Sequence, residues 1–131
     1  MKDIASIVVF GNSQCQVDVH PTPAHKCVSG QPLQTYQNYY KSEDGNLAAG
    51  IWSCEVGTFT VNFTEHEYIH ILNGTIIIKD NNGQELRLTS GMHVVIPQGF
   101  QGTWQIVEAA TKVFVNYELM SMGQAAEDRS V

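Results

Sequence analysis

His93–Val94–Val95–Ile96–Pro97–Gln98–Gly99–Phe100–Gln101–Gly102–Thr103–Trp104 reads as one short β segment, a turn and the start of a second. The first four residues are rich in β-branched side chains, which suit a pleated, half-buried surface. Pro97 and Gly99 interrupt the run, because proline cannot donate to a ladder and glycine adopts backbone angles closed to other residues. The same grammar repeats on either side. Gly50–Ile51–Trp52, Gly57, Gly74, Gly83 and Gly91 punctuate runs such as Thr75–Ile76–Ile77–Ile78. Many short strands separated by turn signals predict an antiparallel barrel or jelly roll, and with it a pocket between two sheets.

Strands are expected at 50–55, 58–64, 67–72, 75–80, 84–88, 92–96, 103–108 and 111–118. Asn73–Gly74 and Asn81–Asn82–Gly83 carry the residues that tolerate positive φ and mark turns or hairpins. Ala109–Ala110 gives a soft turn between the last two strands. Upstream, the β-branched residues of 4–10 predict a strand. Pro21, Pro23 and Pro32, with Gly11 and Gly30, make 11–35 a long arm or a set of loops. The expected organisation is an N-terminal strand and arm over 1–35, a barrel over 36–119 and a flexible tail over 120–131.

The 131 residues suffice for one domain with a sizeable core. Seven basic against thirteen acidic residues give a formal charge of −6. The basic residues are scattered, so nothing is arranged to neutralise phosphates and nucleic acid is excluded as a partner. Apolar runs fall short of the roughly 18 residues of a spanning helix, and no secretory leader is expected, since Ile4 to Phe10 is one strand length and polar residues follow it. No membrane partner is expected, and a cytoplasmic location is the default. The three cysteines fit neither a zinc knuckle nor a redox pair. Cys54, beside Trp52 on a strand, reads as a buried thiol; Cys15 and Cys27 fall in the polar arm.

Taken in order, several short motifs carry a likeness: Trp52–Ser53–Cys54–Glu55–Val56–Gly57–Thr58–Phe59, Glu67 with Ile71–Leu72–Asn73–Gly74, Asn82–Gly83, Gly91, Pro97–Gln98–Gly99–Phe100, Gly102–Thr103–Trp104 and Lys112–Val113. Over Gly50 to Tyr117 the chain resembles the cupin superfamily, and within it the small single-domain cupins related to the cupin domain of (S)-ureidoglycine aminohydrolase. The resemblance implies an all-β, RmlC-like cupin double-stranded β-helix, a jelly-roll barrel preceded by the N-terminal strand and arm. Metal-binding cupins supply two histidines and then a glutamate seven residues before a glycine. Glu67 stands seven before Gly74, while the histidine positions fall on or near Val61 and Phe63. A further histidine position, three past the glycine of the second motif, is Gly102. Valine, phenylalanine and glycine offer no lone pair, and one carboxylate is a poor site for a transition metal. No metal and no cofactor are therefore assigned.

Glu67 has two readings. It either stands on the pocket wall as a ligand partner or general acid/base, or serves as a structural carboxylate tied to nearby donors. The ligand pocket is assigned to Val61, Phe63, Glu67, Phe100 and Trp104, with Tyr68 adding to an aromatic lining; Glu67 is the candidate catalytic residue. His66 and His70 lie on one strand face about 13 Å apart, with Glu67 on the other, which argues against a metal site from these three. His93 could join Glu67 only through the fold. His20 and His25 are expected to be solvated. The leading reading is a cupin that binds a small organic molecule without a complete classical metal site. The alternatives are an enzyme using Glu67 as acid/base, and a dimeric structural or regulatory module with a vestigial pocket. A homodimer is expected through the arm, with Tyr36, Tyr39 and Tyr40 as candidate contacts.

Overall fold

The computed structural model describes residues 1–119, so the tail expected at 120–131 lies outside the described residues. Nine strands are described: β1 (Gln16–Pro21), β2 (Cys27–Ser29), β3 (Leu33–Lys41), β4 (Leu47–Cys54), β5 (Gly57–Asn62), β6 (His66–Asp80), β7 (Glu85–Thr89), β8 (His93–Ile96) and β9 (Gln101–Tyr117). The path β1-β3-β4-β9-β5-β2 forms one continuous antiparallel sheet. β6 joins it by pairing with β9, and carries β7 and β8 on its own length. The result is an all-β, cupin-like jelly-roll architecture, an open sheet curled around an apolar interior.

Two long strands replace four expected short ones. β6 runs through Asn73–Gly74 without turning back, and the pairing with β9 extends from His66↔Tyr117 to Asp80↔Gly102. Register shifts between Ile71 and Ile76 mark bulges rather than a hairpin. Gly74 has φ +88°, and a Cβ there would lie 2.4 Å from the Ala109 carbonyl oxygen. The glycine therefore lets β6 bend tightly against β9, where Ala109–Ala110 forms part of the strand and not a turn. These bulges curl the sheet and turn alternate side chains inward.

The N-terminal third also departs from expectation. Residues 4–10 do not form a strand: Ile4–Ser6 is a 3-10 turn, and the Asp3 carboxylate accepts from the Ala5 N–H at 3.1 Å. The β-branched run has no neighbouring strand with which to share a ladder. Phe10 instead stacks on Tyr39 with centroids 4.6 Å apart, and the Gly11 N–H donates to the Tyr39 hydroxyl. The supposed arm folds onto its own chain. β1 pairs with β3 from Gln16↔Asn38 to Pro21↔Leu33, and β2 pairs with β5.

The core follows the strand alternation. Trp52, Phe59, Phe63, Ile69, Ile76 and Trp104 are fully buried. At its centre the Trp52 and Trp104 rings meet edge to face, 5.7 Å apart at 84°, and Phe63 lies tilted against Trp104 at 5.8 Å. Among the described residues no helix is long and apolar enough to cross a membrane.

Candidate functional site

Among the described residues, three acidic or basic side chains reach the interior. Glu65 and Glu67 are two apart and so share the inner face, while Lys112 arrives from β9 opposite Trp52. The Lys112 ammonium donates to Glu67 Oε2 at 2.6 Å with both groups buried. It lies 4.6 Å from the Trp52 ring centre and 4.4 Å from that of Trp104. The two indole faces supply the cation with π density in place of water. Burial holds the Lys112 ammonium below the usual lysine range, and the Glu67 charge offsets part of that shift. The carboxylate that the cupin pattern gives to a metal is thus answered here by an internal amine.

The histidine positions are closed for separate reasons. Val61 and Phe63 are core residues at 4% and 1% exposure. Gly102 pairs with Val61, and a Cβ on it would lie 2.1 Å from the Lys79 carbonyl oxygen. Among the described residues, no group of three or more His, Cys, Asp or Glu side chains could hold a metal ion. The domain lacks the complete classical cupin cluster.

A cavity of about 570 Å³ opens beside this centre. Its wall comes from β1, β3, β4, β5, β9 and the β1–β2 connection, with Glu65 just before β6. Ala48, Phe59 and Phe114 give it apolar surface, while Gln34, Tyr36, Glu65 and Asn116 bring polar groups. One relay runs along one side of it. The Trp52 indole N–H and the Tyr36 hydroxyl both donate to Gln34 Oε1, at 3.0 and 3.2 Å. Gln34 Nε2 donates to Thr22 Oγ1 at 2.9 Å, and Thr22 Oγ1 to the Pro32 carbonyl at 2.7 Å. Burial pushes the Tyr36 phenol up beyond the ordinary tyrosine range, with the Glu67 charge adding to the effect. The hydroxyl therefore stays a neutral donor.

The other end of the cavity is not satisfied internally. Asn116 Nδ2 donates to Glu65 Oε1 at 3.1 Å. Asn116 Oδ1 is buried and meets no donor among the described residues. Turning the amide over would set its oxygen against a carboxylate oxygen, so the observed orientation is the one the chemistry prefers. An unpaired buried acceptor costs about 1–3 kcal/mol unless something supplies a proton to it.

The residues expected to form the pocket lie elsewhere. Val61, Phe63, Glu67 and Trp104 pack in the core, and Phe100 is half-buried against Phe63 at 6.2 Å. None of the five is on the wall of the 570 Å³ cavity. Phe100 lines a separate hollow of about 280 Å³ with Ile78, Val94 and Pro97. Tyr68 points outward, not into an aromatic lining: it is exposed and hydrogen-bonds His93, which stacks on His70 with centroids 4.1 Å apart. Glu67 faces inward and His93 outward, so the two do not converge. His20 is exposed, as expected, and from the cavity mouth it stacks on Tyr36 at 5.5 Å. Tyr36 turns inward and Tyr39 anchors the N-terminal segment, which leaves Tyr40 as the exposed member of that trio.

Cys54 yields a prediction with a clear sign. Burial, then the Glu55 charge, pushes its thiol up to about 12 from the ordinary 9.0. The neutral thiol is favoured in the folded state, so its contribution to stability is full below about 9 and is lost as pH rises towards about 12. The raised Tyr36 phenol acts in the same direction. Stability should therefore fall on the alkaline side, and Cys54→Ala should flatten that fall in urea titrations. In native protein at pH 8 a thiol reagent should modify Cys15 and Cys27 but reach Cys54 only after unfolding. Rapid native labelling of Cys54 would contradict the burial argument.

The strand order, the inward Glu67 and the turn at Pro97–Gln98–Gly99 agree with a comparison of the chain with known families. Residues 41–114 match the EutQ-like cupin domain. The chain belongs to the EutQ-like cupin family. Solved structures give the same fold. The EutQ protein of Clostridium difficile superimposes with a TM-score of 0.59 at 21% identity, covering 66% of this chain and 68% of that one. A protein of unknown function from Pseudomonas syringae pv. tomato gives 0.70 at 18% identity, over 80% of this chain and 45% of its own. A cupin domain of Schizosaccharomyces pombe gives 0.57 at 16% identity, over 66% and 65%. This EutQ-like domain spans less than half of the Pseudomonas protein. No curated protein matches the chain.

Proposed function

We propose that this EutQ-like cupin domain binds a small organic molecule in the cavity walled by β1, β3, β4 and β9, without a bound metal. The observation that carries the reading is Asn116 Oδ1, a buried acceptor without a donor on the wall of a cavity of about 570 Å³. That volume lies within the range of small-ligand sites, which run from roughly 300 to 1,000 Å³. Aromatic and aliphatic wall with a few convergent polar groups is the composition such sites show. Glu67 and Trp104 hold Lys112 behind the site, and Val61 and Phe63 fill the core beside them. The folded arm belongs to the site, because β1 supplies Asp18 and His20 to its mouth.

Native mass spectrometry of gently purified protein tests this. The expected result is a small-molecule adduct on the 14.5 kDa chain, lost in Ala48→Phe, which fills the cavity from β4. An adduct that survives Ala48→Phe would place the ligand elsewhere. An enzyme related to (S)-ureidoglycine aminohydrolase, with Glu67 as acid/base, is the second reading; it rests on the retained Glu67 and requires that group to trade protons while holding Lys112. Absence of ammonia release from ureidoglycine, with and without manganese, excludes that reaction. A homodimer remains part of the proposal. Among the described residues β1 pairs only with β3, and it carries exposed Val17 and Val19, an edge that a second copy could cover. Light scattering should then report about twice the 14.5 kDa chain mass; a monomer would reject it.

A further inference from the structure

The outer face of the sheet gathers imidazoles that the cavity does not use. β6 turns His66, Tyr68 and His70 outward, opposite the buried Glu67, Ile69 and Ile71. His66 and His70 stand too far apart along one strand to share an ion. The neighbouring strand supplies the second imidazole instead: His70 pairs directly with His93 on β8, and Tyr68 with Val95. The His70 and His93 rings lie face to face, with centroids 4.1 Å apart and 15° between their planes.

The surroundings of the pair suit a metal ion. The Tyr68 hydroxyl hydrogen-bonds His93 Nδ1. A phenol oxygen that accepts from Nδ1–H fixes the tautomer that leaves a lone pair on His93 Nε2. Metal-bound imidazoles receive this kind of support through their second nitrogen. Among the described residues no hydrogen bond occupies the His70 ring, whereas His66 Nδ1 already accepts from the Gln98 N–H at 3.1 Å. The outward positions around the pair are Val95 on β8 and Val113, Val115 and Tyr117 on β9. None of them brings a Lys or Arg charge to repel a cation, and the chain as a whole carries a formal charge of −6.

We propose that His70 and His93 form a surface site for one divalent transition-metal ion of the imidazole-binding class, copper, nickel or zinc, with Tyr68 as its positioning residue. The terminal torsion of a histidine is soft, so a small turn of one ring brings both lone pairs onto one ion at roughly 2.0–2.1 Å. Two imidazoles leave the other coordination positions to water, and they do not hold magnesium, which takes oxygen ligands. The site lies on the opposite face from Glu67, Val61 and Phe63, so it is separate from the closed cupin positions and from the cavity.

Calorimetric titration of the full chain with nickel, zinc and magnesium chlorides tests this, together with electron paramagnetic resonance of the copper(II) form. One nickel or zinc ion should bind per chain, and magnesium should not. His70→Ala and His93→Ala should each weaken nickel at least about tenfold, since loss of an outer-shell partner alone costs that much. The copper spectrum should show nitrogen splitting from two imidazoles in the native chain and from one in either variant. Tyr68→Phe should weaken nickel about tenfold yet keep the two-nitrogen pattern, because it removes the support and not a ligand. Should an alanine variant not fold, His70→Gln or His93→Gln asks the same question with less change in volume. His20→Ala and His25→Ala, in the N-terminal segment, should leave binding unchanged. Absence of nickel binding, or nickel binding indifferent to both His70→Ala and His93→Ala, overturns the site. Magnesium bound as tightly as nickel overturns the metal class, and a Tyr68→Phe variant with native affinity overturns the role of the phenol.

Discussion

Lys112→Met should destabilise the domain by about 3–5 kcal/mol, because it strands the buried Glu67 carboxylate without its cation. The methionine preserves much of the volume between Trp52 and Trp104, so lost packing contributes little. The partner experiment separates charge from shape. Glu67→Gln with Lys112→Met removes both charges and should recover most of the loss, since a buried pair stabilises little relative to neutral groups of similar size. Urea unfolding of the two single variants and the double variant gives the coupling directly. A loss in the double variant equal to the sum of the single losses would show that the two side chains act independently, contrary to the geometry.

Gly102→Ala should cost about 3 kcal/mol or more, a large effect for one added methyl. The added Cβ would lie 2.1 Å from the Lys79 carbonyl oxygen and 3.1 Å from Phe100 Cζ. Relief requires β6 and β9 to part where Asp80 meets Gly102 and Lys79 meets Thr103. Gly83→Ala is the control: it has φ +84° but nothing within 4 Å of the new Cβ. Left-handed backbone alone costs a non-glycine residue roughly 1–2 kcal/mol. A Gly102 variant as mild as the Gly83 one, compared by urea midpoint, would contradict the close-approach argument. The same contact explains why a metal-binding histidine cannot be restored at residue 102 by a single change.

The fold was legible where glycine punctuation and β-branched runs coincide. Pro97–Gln98–Gly99 does separate β8 from β9, and Asn81–Asn82–Gly83 does turn β6 into β7. Asn73–Gly74 misled because positive φ serves bulges as well as hairpins; only the approach of the Ala109 carbonyl distinguishes them. Ile4 to Phe10 misled because strand propensity is realised only beside a partner. The arm hid two strands and the start of a third, since prolines at its joints obscure the short ladders between them. Of the site, parity separated Glu67 from His66 and His70 but did not say which face turns inward, and the emptied histidine positions were plain from Val61, Phe63 and Gly102. Two signals went unused. Glu65 lies two residues before Glu67 and must share its face on an extended chain. Lys112 alternates with Ala110, Phe114 and Asn116, an inward parity that a lone lysine takes only with a counter-charge. The cavity itself was not legible, because it depends on β1 folding back along β3.

The cavity claim is tested most directly by amide chemical-shift mapping of the ¹⁵N-labelled domain titrated with the small molecule recovered from the native mass-spectrometric adduct. Shifts concentrated on Gln34, Tyr36, Ala48, Glu65 and Asn116, and absent in Ala48→Phe, are the predicted result. Shifts confined to the outer face around Tyr68, His70 and His93, with the cavity residues unmoved, would contradict it.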